Sequence, residues 1–137
     1  MNAFNESVIE EFRANGGKVG GTFEGRTNMA LITTTGAKSG RAITNPLVYV
    51  PDAERIVLIA SNGGADKHPA WYHNLRADPR LTVEVGDETY TGKAEFVTGP
   101  EADELYDRMV ELMPVFAEYR VKTTRKIPVI AVYRETA

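Results

Sequence analysis

The sequence contains no cysteine. Disulfides, thiolate metal ligands, cysteine nucleophiles and iron–sulfur clusters are thereby excluded, and the chain suits a reducing compartment. It has two histidines, His68 and His73, five residues apart. Chelation from one helix needs a spacing of three or four, and no third ligand is evident, so no metal site is expected. Ser61 lacks the G-x-S-x-G context of a serine hydrolase. No stretch approaches 18 uninterrupted apolar residues, so no transmembrane segment is expected. The start, MNAFNESVIEEFRANGG, carries acids and lacks the basic and apolar regions of a signal peptide. A cytoplasmic protein is expected, peripheral to a membrane at most. Positive charge is also short: the formal net charge of −3 argues against a nucleic-acid partner.

Apolar residues make up 42% and charged residues 26%, the profile of a soluble globular protein. At 137 residues one domain is expected, able to bury about two-thirds of its unfolded surface without staples. Charge is unevenly spread. GAKSGRAITN (36–45) holds Lys38 and Arg41 and no acid, and EYRVKTTRK (118–126) holds four bases against one acid. Either patch could meet a small anion or be a solvated face.

Residues 6–15 read as an amphipathic helix with Val8, Ile9 and Phe12 on one side, Asn5 as N-cap and Gly16-Gly17 as stop. Its acidic polar face favours packing on the domain over resting on anionic lipid. Residues 28–36 and 42–51 are β-branched and flank the turn GAKSGR, and RIVLIAS (55–61) reads as a central strand. A short helix runs from Pro69 to about Ala77, with proline first. Residues 81–85 and 88–97 form a hairpin around Gly86-Asp87. Thr98 to Glu101 resembles a capping box, opening a helix that buries Leu105, Met109 and Leu112. Pro114 should break or restart it near residue 113, and residues 127–133 form a last strand. Strands outnumber helices and neighbours can pair antiparallel, which favours an α+β barrel or curved sheet with peripheral helices over a doubly wound fold.

Three places could carry chemistry. GAKSGR offers backbone N–H groups, a hydroxyl and two cations to a phosphate, yet matches neither the Walker A loop nor the Rossmann fingerprint. An ordinary hairpin turn with solubilising charges is the plainer alternative. In ASNGGADKHPAWYHNL (60–75), Ser61 and Asn62 end an apolar strand, and Gly63-Gly64 lets a ligand approach the backbone. On the helix that follows, Trp71, Asn74 and Leu75 share a face. Trp71 reads as a core anchor and Asn74 as the tie to a nearby loop, rather than as a stacking platform for a cofactor. Tyr119, beside Arg120 and Lys122, could donate a proton or simply sit at a rim.

TTTGAKSGRAITNPL, VLIASNGGADKHPAWYHNLRADPRLTVEV and RKIPVIAVY, in this order and spacing, resemble the deazaflavin (F420)-dependent nitroreductase family of actinobacteria over roughly residues 20–134. The resemblance implies a split β-barrel related to flavin-mononucleotide-binding oxidoreductases, with the barrel and its inserted helices over residues 20–134. The N-terminal helix read from the pattern above is expected within residues 1–17 of the same single domain. It implies coenzyme F420, a deazaflavin with a phospholactyl–oligoglutamate tail. The reduced cofactor passes a hydride to a small acceptor such as a nitroaromatic, enone, quinone or activated alkene. Such chemistry belongs to the cofactor, which is how a cysteine-free, metal-free chain can be a redox enzyme.

By the same resemblance, Ala37, Lys38 and Ser39 correspond to the phosphate-binding turn, with Arg41 as added charge. Ile43, Thr44, Asn45, Pro46, Leu47 and Val48 match the strand along the ring and side chain. Ile59, Ala60, Ser61 and Asn62 match the segment whose backbone faces the ring. Ala70, Trp71, Tyr72, His73 and Asn74 match the helix start on its other side, and Lys67 is placed to meet acidic tail groups. In the segment matching a tyrosine-rich substrate wall, Met113 and Phe116 stand where tyrosines can occur and Tyr119 remains. A less polar substrate pocket follows, with Tyr119 or Ser61 as candidate proton donor. The same fold could instead use flavin mononucleotide, or the chain could carry F420 without catalysis. Both monomers and homodimers occur on this fold.

Overall fold

The computed structural model describes residues 3–15, 28–52, 55–86 and 88–135. Helix α1 (Ala3–Ala14) leads into strands β1 (Met29–Thr35), β2 (Ala42–Val48), β3 (Val50–Asp52) and β4 (Arg55–Ile59). A 3₁₀ turn (Asn62–Gly64) and helix α2 (Ala70–Ala77) follow, then β5 (Arg80–Val85) and β6 (Glu88–Val97). Helices α3 (Gly99–Leu112) and α4 (Val115–Lys122) precede β7 (Val129–Arg134).

The strands form one sheet in the order β2-β1-β5-β6-β7-β4-β3, and every pairing is antiparallel. Its two edge strands, β2 and β3, are consecutive in the chain with Tyr49 alone between them. Because one residue spans less than about 4 Å, the two edges must meet at this corner, and the sheet is curled into a split barrel. Residues 42–51, read above as one strand, thus leave one edge and join the other. Asn28 holds the corner: its carbonyl accepts the Tyr49 N–H at 2.8 Å, and its side-chain amide donates to the Tyr49 carbonyl at 3.0 Å.

Side-chain alternation sorts the strands into two faces. Ala30, Ile32, Ile56, Leu58, Leu81, Val83, Ala94, Ile130 and Val132 point inward, where Trp71 and Leu75 of α2 join them. The opposite face is covered twice. Val57, Ile59 and Val129 pack under α3 and α4, and Met29 and Leu31 pack under Val8, Ile9 and Phe12 of α1. This double coverage explains why MALI in β1 reads as an unbroken apolar run.

Several expectations are corrected. α1 begins at Ala3 rather than Glu6, so Asn5 lies inside the helix, and Gly16-Gly17 and Asp87 fall outside the described residues. Pro69 is the N-cap of α2, not its first residue. Thr98 makes no side-chain cap hydrogen bond, and the Glu101 carboxylate, the other half of the expected box, instead meets Arg55 at 3.3 Å. Leu112 is 48% exposed; the buried face of α3 is Ala102, Leu105, Tyr106 and Met109. The final turn of α3 overhangs the core because the chain leaves at Pro114, which restarts it as α4. The Tyr106 hydroxyl donates to the Phe116 carbonyl at 2.6 Å and fixes the corner between the two helices.

Candidate functional site

Three segments distant in sequence meet in a groove of about 520 Å³. Asn45, Pro46 and Leu47 of β2 form one wall. Ile59, Ser61, Asn62 and Gly63 supply the end of β4 and the turn after it. Lys67, His68, Pro69, Ala70 and Trp71 form the other wall. The barrel corner makes this possible: by bringing the two sheet edges together it sets β2 beside the end of β4.

The turn needs unusual backbone. Asn62, Gly63 and Gly64 all have positive φ (48°, 63° and 82°), a region open to glycine and tolerated by asparagine. A side chain on Gly63 would meet open space, whereas one on Gly64 would come within 3.2 Å of the Tyr119 Cα. Gly64 is where α4 rests on the turn. The Asn62 amide donates to the Lys67 carbonyl at 3.0 Å and closes the loop on itself.

Arg125 organises the loop from behind. Its guanidinium donates to the carbonyls of Ser61 (2.8 Å), Ala65 (2.8 Å) and Ala60 (3.2 Å), and its Nη1 lies 3.0 Å from His68 Nδ1. The neighbouring Thr123 hydroxyl donates to Asp66 at 2.8 Å. Burial first, then the positive charge of Arg125, holds the His68 pKa below its ordinary value. The sequence marked this segment as a basic patch; its role in shaping the groove was not foreseen, and no spacing rule would have revealed it.

GAKSGR stands one helical turn along α2 from the groove, tethered by Asn74. That side chain accepts the Ala37 N–H at 2.9 Å and donates to the Thr34 hydroxyl at 3.1 Å, as the helix-face reading anticipated. Less of the loop is available than the sequence suggested. The N–H groups of Gly36, Gly40 and Arg41 go to the Arg41 carbonyl, the Gly36 carbonyl and the Ser39 hydroxyl. With Ala37 also engaged, the N–H groups of Lys38 and Ser39 remain without a partner among the described residues. Lys38, Arg41 and Lys67 are exposed and have no ion pair among the described residues.

The other expected residues fall in three places. Ile43 and Thr44 lie on β2 toward the loop, with the Thr44 hydroxyl bonded to Thr33 at 2.8 Å. Val48 packs outward against α1. The Ala60 N–H and carbonyl are taken by Pro128 and Arg125, so that backbone does not face the groove as expected, whereas the Ser61 hydroxyl has no hydrogen bond among the described residues. Tyr72 and His73 point away from the groove's lining and pack near His68. Phe116 is buried under α4 with Tyr106, and half-buried Met113 and Tyr119 pack on the same cluster. None of these last three lines the groove.

The residues present fit a flat, anionic ligand. Pro46, Leu47, Ile59 and Trp71 give it apolar walls, and Gly63 gives close approach. Lys67 lines the groove, with Lys38 and Arg41 one helical turn away on GAKSGR, and none of the three is ion-paired among the described residues. The fold and this groove define a split-barrel protein with a place for such a ligand. A profile of the F420H(2)-dependent quinone reductase family matches residues 5–134, and the chain belongs to that family. An F420H(2)-dependent quinone reductase of Mycobacterium tuberculosis is 31% identical over 128 residues, 90% of this chain and 85% of that protein. The solved structure of an F420-H2 dependent reductase, FDR-A, is 40% identical, covering 77% of this chain and 93% of its own at a TM-score of 0.71. A second structure, described as a domain-swapped dimer, is 36% identical over 93% and 92% of the two chains at a TM-score of 0.74. No helix among the described residues is long and apolar enough to cross a membrane.

Proposed function

We propose that the groove between β2, the 60–68 loop and α2 holds reduced coenzyme F420, and that the chain reduces a quinone or similarly electron-poor small acceptor there. The observation carrying this reading is the convergence of Asn45–Leu47, Ile59, Ser61–Gly63 and Lys67–Trp71 on one groove, with GAKSGR tied beside it by Asn74. When bound, the cofactor supplies the hydride.

The chain's own residues bind and orient. Lys38 and Arg41, with the N–H groups of Lys38 and Ser39 that have no partner among the described residues, meet the phosphate, and Lys67 meets carboxylates of the tail. Pro46, Leu47 and Ile59 give the ring its apolar contacts and keep water from them, with Trp71 as the buried anchor of the α2 wall. Ser61, whose hydroxyl has no hydrogen bond among the described residues, is the candidate group to pass a proton to an acceptor oxygen. Tyr119 serves only if α4 shifts, since it packs on Phe116 with ring centroids 5.0 Å apart. Quinone is favoured over nitroaromatic, enone or activated alkene acceptors by the family itself.

Calorimetric titration with oxidised F420, with flavin mononucleotide as control, tests the reading. Saturable binding of F420 alone is expected, weakened about tenfold in Lys38→Ala, as for loss of one charge-assisted hydrogen bond. Binding of flavin mononucleotide alone would change the cofactor. F420 binding without oxidation of F420H2 by any quinone would make the protein a carrier.

A further inference from the structure

We propose that His68 is the neutral hydrogen-bond donor of the groove, its Nε2–H offered to a carbonyl or anionic oxygen of the bound ring while Arg125 fixes the tautomer. The proposal rests on the cofactor reading above and adds a residue that the sequence did not assign.

The argument is one of proton inventory. A guanidinium has five N–H donors, no acceptor and no accessible neutral form. Four of the Arg125 contacts are the carbonyls of Ala60, Ser61 and Ala65 and the Nδ1 of His68. At 3.0 Å from an obligate donor, Nδ1 must present its lone pair. The ring proton therefore sits on Nε2, and a second proton on Nδ1 would set two donors face to face. Arg125 is itself held, because three backbone carbonyls fix the plane of its guanidinium. It is thus a positioning residue rather than a ligand contact.

His68 lines the groove beside Lys67, Pro69 and Trp71. Its ring is also packed against Tyr72, with centroids 4.5 Å apart, which limits rotation. With Nδ1 engaged behind, the Nε2 edge is what His68 can offer a ligand. A neutral donor suits a ring carbonyl, where a cation would bind oxygen of any charged group without regard to direction. Lys67 supplies charge at the groove and His68 supplies orientation.

Two substitutions separate donation from bracing. Asparagine at 68 can place its Oδ1 near the Nδ1 position, keeping the Arg125 contact while removing the Nε2 donor. Glutamine can place an amide N–H near the Nε2 position while giving up the Nδ1 acceptor. His68→Asn is expected to weaken F420 binding about tenfold by calorimetry with little change in Tm, and His68→Gln to stay within about threefold of wild type. The reverse order would overturn the donor role and leave His68 as a brace. Nitrogen-15 NMR of the ligand-free protein supplies a readout independent of the cofactor. A single Nε2–H tautomer is expected, relaxing toward a mixture in Arg125→Lys, and a mixture in the wild type would overturn the argument. If wild-type protein fails to bind F420 at all, the cofactor assignment falls, and the donor role with it; the wild-type titration tells this apart from failure of the donor role alone.

Discussion

At the scale of single residues, Asn74 links the core to the site. Its amide satisfies a buried hydroxyl on β1 and the N–H of Ala37, so one side chain sets the distance between α2 and GAKSGR. Asn74→Ala leaves both groups without partners and is expected to cost about 2–3 kcal/mol in urea denaturation. The two turn glycines make a sharper comparison. Gly63→Ala adds a methyl in open space at positive φ and should cost about 1–2 kcal/mol. Gly64→Ala adds the same strain and also meets backbone of α4, so its Tm should fall clearly further. Equal losses would mean that α4 does not bear on the turn.

At the scale of elements, amphipathic patterns placed the helices well and their ends poorly. Leu112 continues the spacing of Leu105 and Met109, yet it lies past the point where Pro114 turns the chain away. Met109→Ala should therefore cost about 2–5 kcal/mol, while Leu112→Ser should stay within about 0.5 kcal/mol. Similar losses in chemical denaturation would restore the simple periodic reading. α1 was legible because Val8, Ile9 and Phe12 form a stripe, but its docking site was not. Met29 and Leu31 belong to a strand whose other face is the barrel interior, and an unbroken apolar run does not say which neighbour covers which side.

At the scale of the whole molecule, stability should follow pH through groups with displaced pKa values. His68 faces Arg125, His73 and Tyr72, with Lys126 lining the cavity on its far side, and its folded pKa lies below the unfolded value. The unfolded chain then takes up the proton first, so stability present above the unfolded pKa of about 6.5 falls as pH drops through the folded one. Asp52, held between Arg108 and Arg55, is also depressed, and its contribution is lost at lower pH, below the ordinary carboxylate range. Thermal melts should show two separate declines, and His68→Gln should abolish the first while sparing the second. A single decline below pH 5 would contradict the placement of His68 beside Arg125.

The sequence by itself determined the local grammar of this protein. Absent cysteines and long apolar runs narrowed the chemistry. Alternation and turn residues found nearly every strand and helix, and the order of GAKSGR, SNGGADKHPAWYHN and RKIPVIAVY pointed to an F420-dependent split barrel. Asn74 could be read as a loop tie because a helix repeats its faces at a known interval. Only the tertiary structure decided what depends on closure. Tyr49 reads as the middle of a strand, but it is the corner where one sheet edge becomes the other, since an edge is defined by partners far away in the chain. Arg125 reads as one base in a basic patch, yet it holds three carbonyls some 60 residues upstream along with His68. Local pattern fixes which way a side chain points, whereas the partner it meets is set by how the barrel curls.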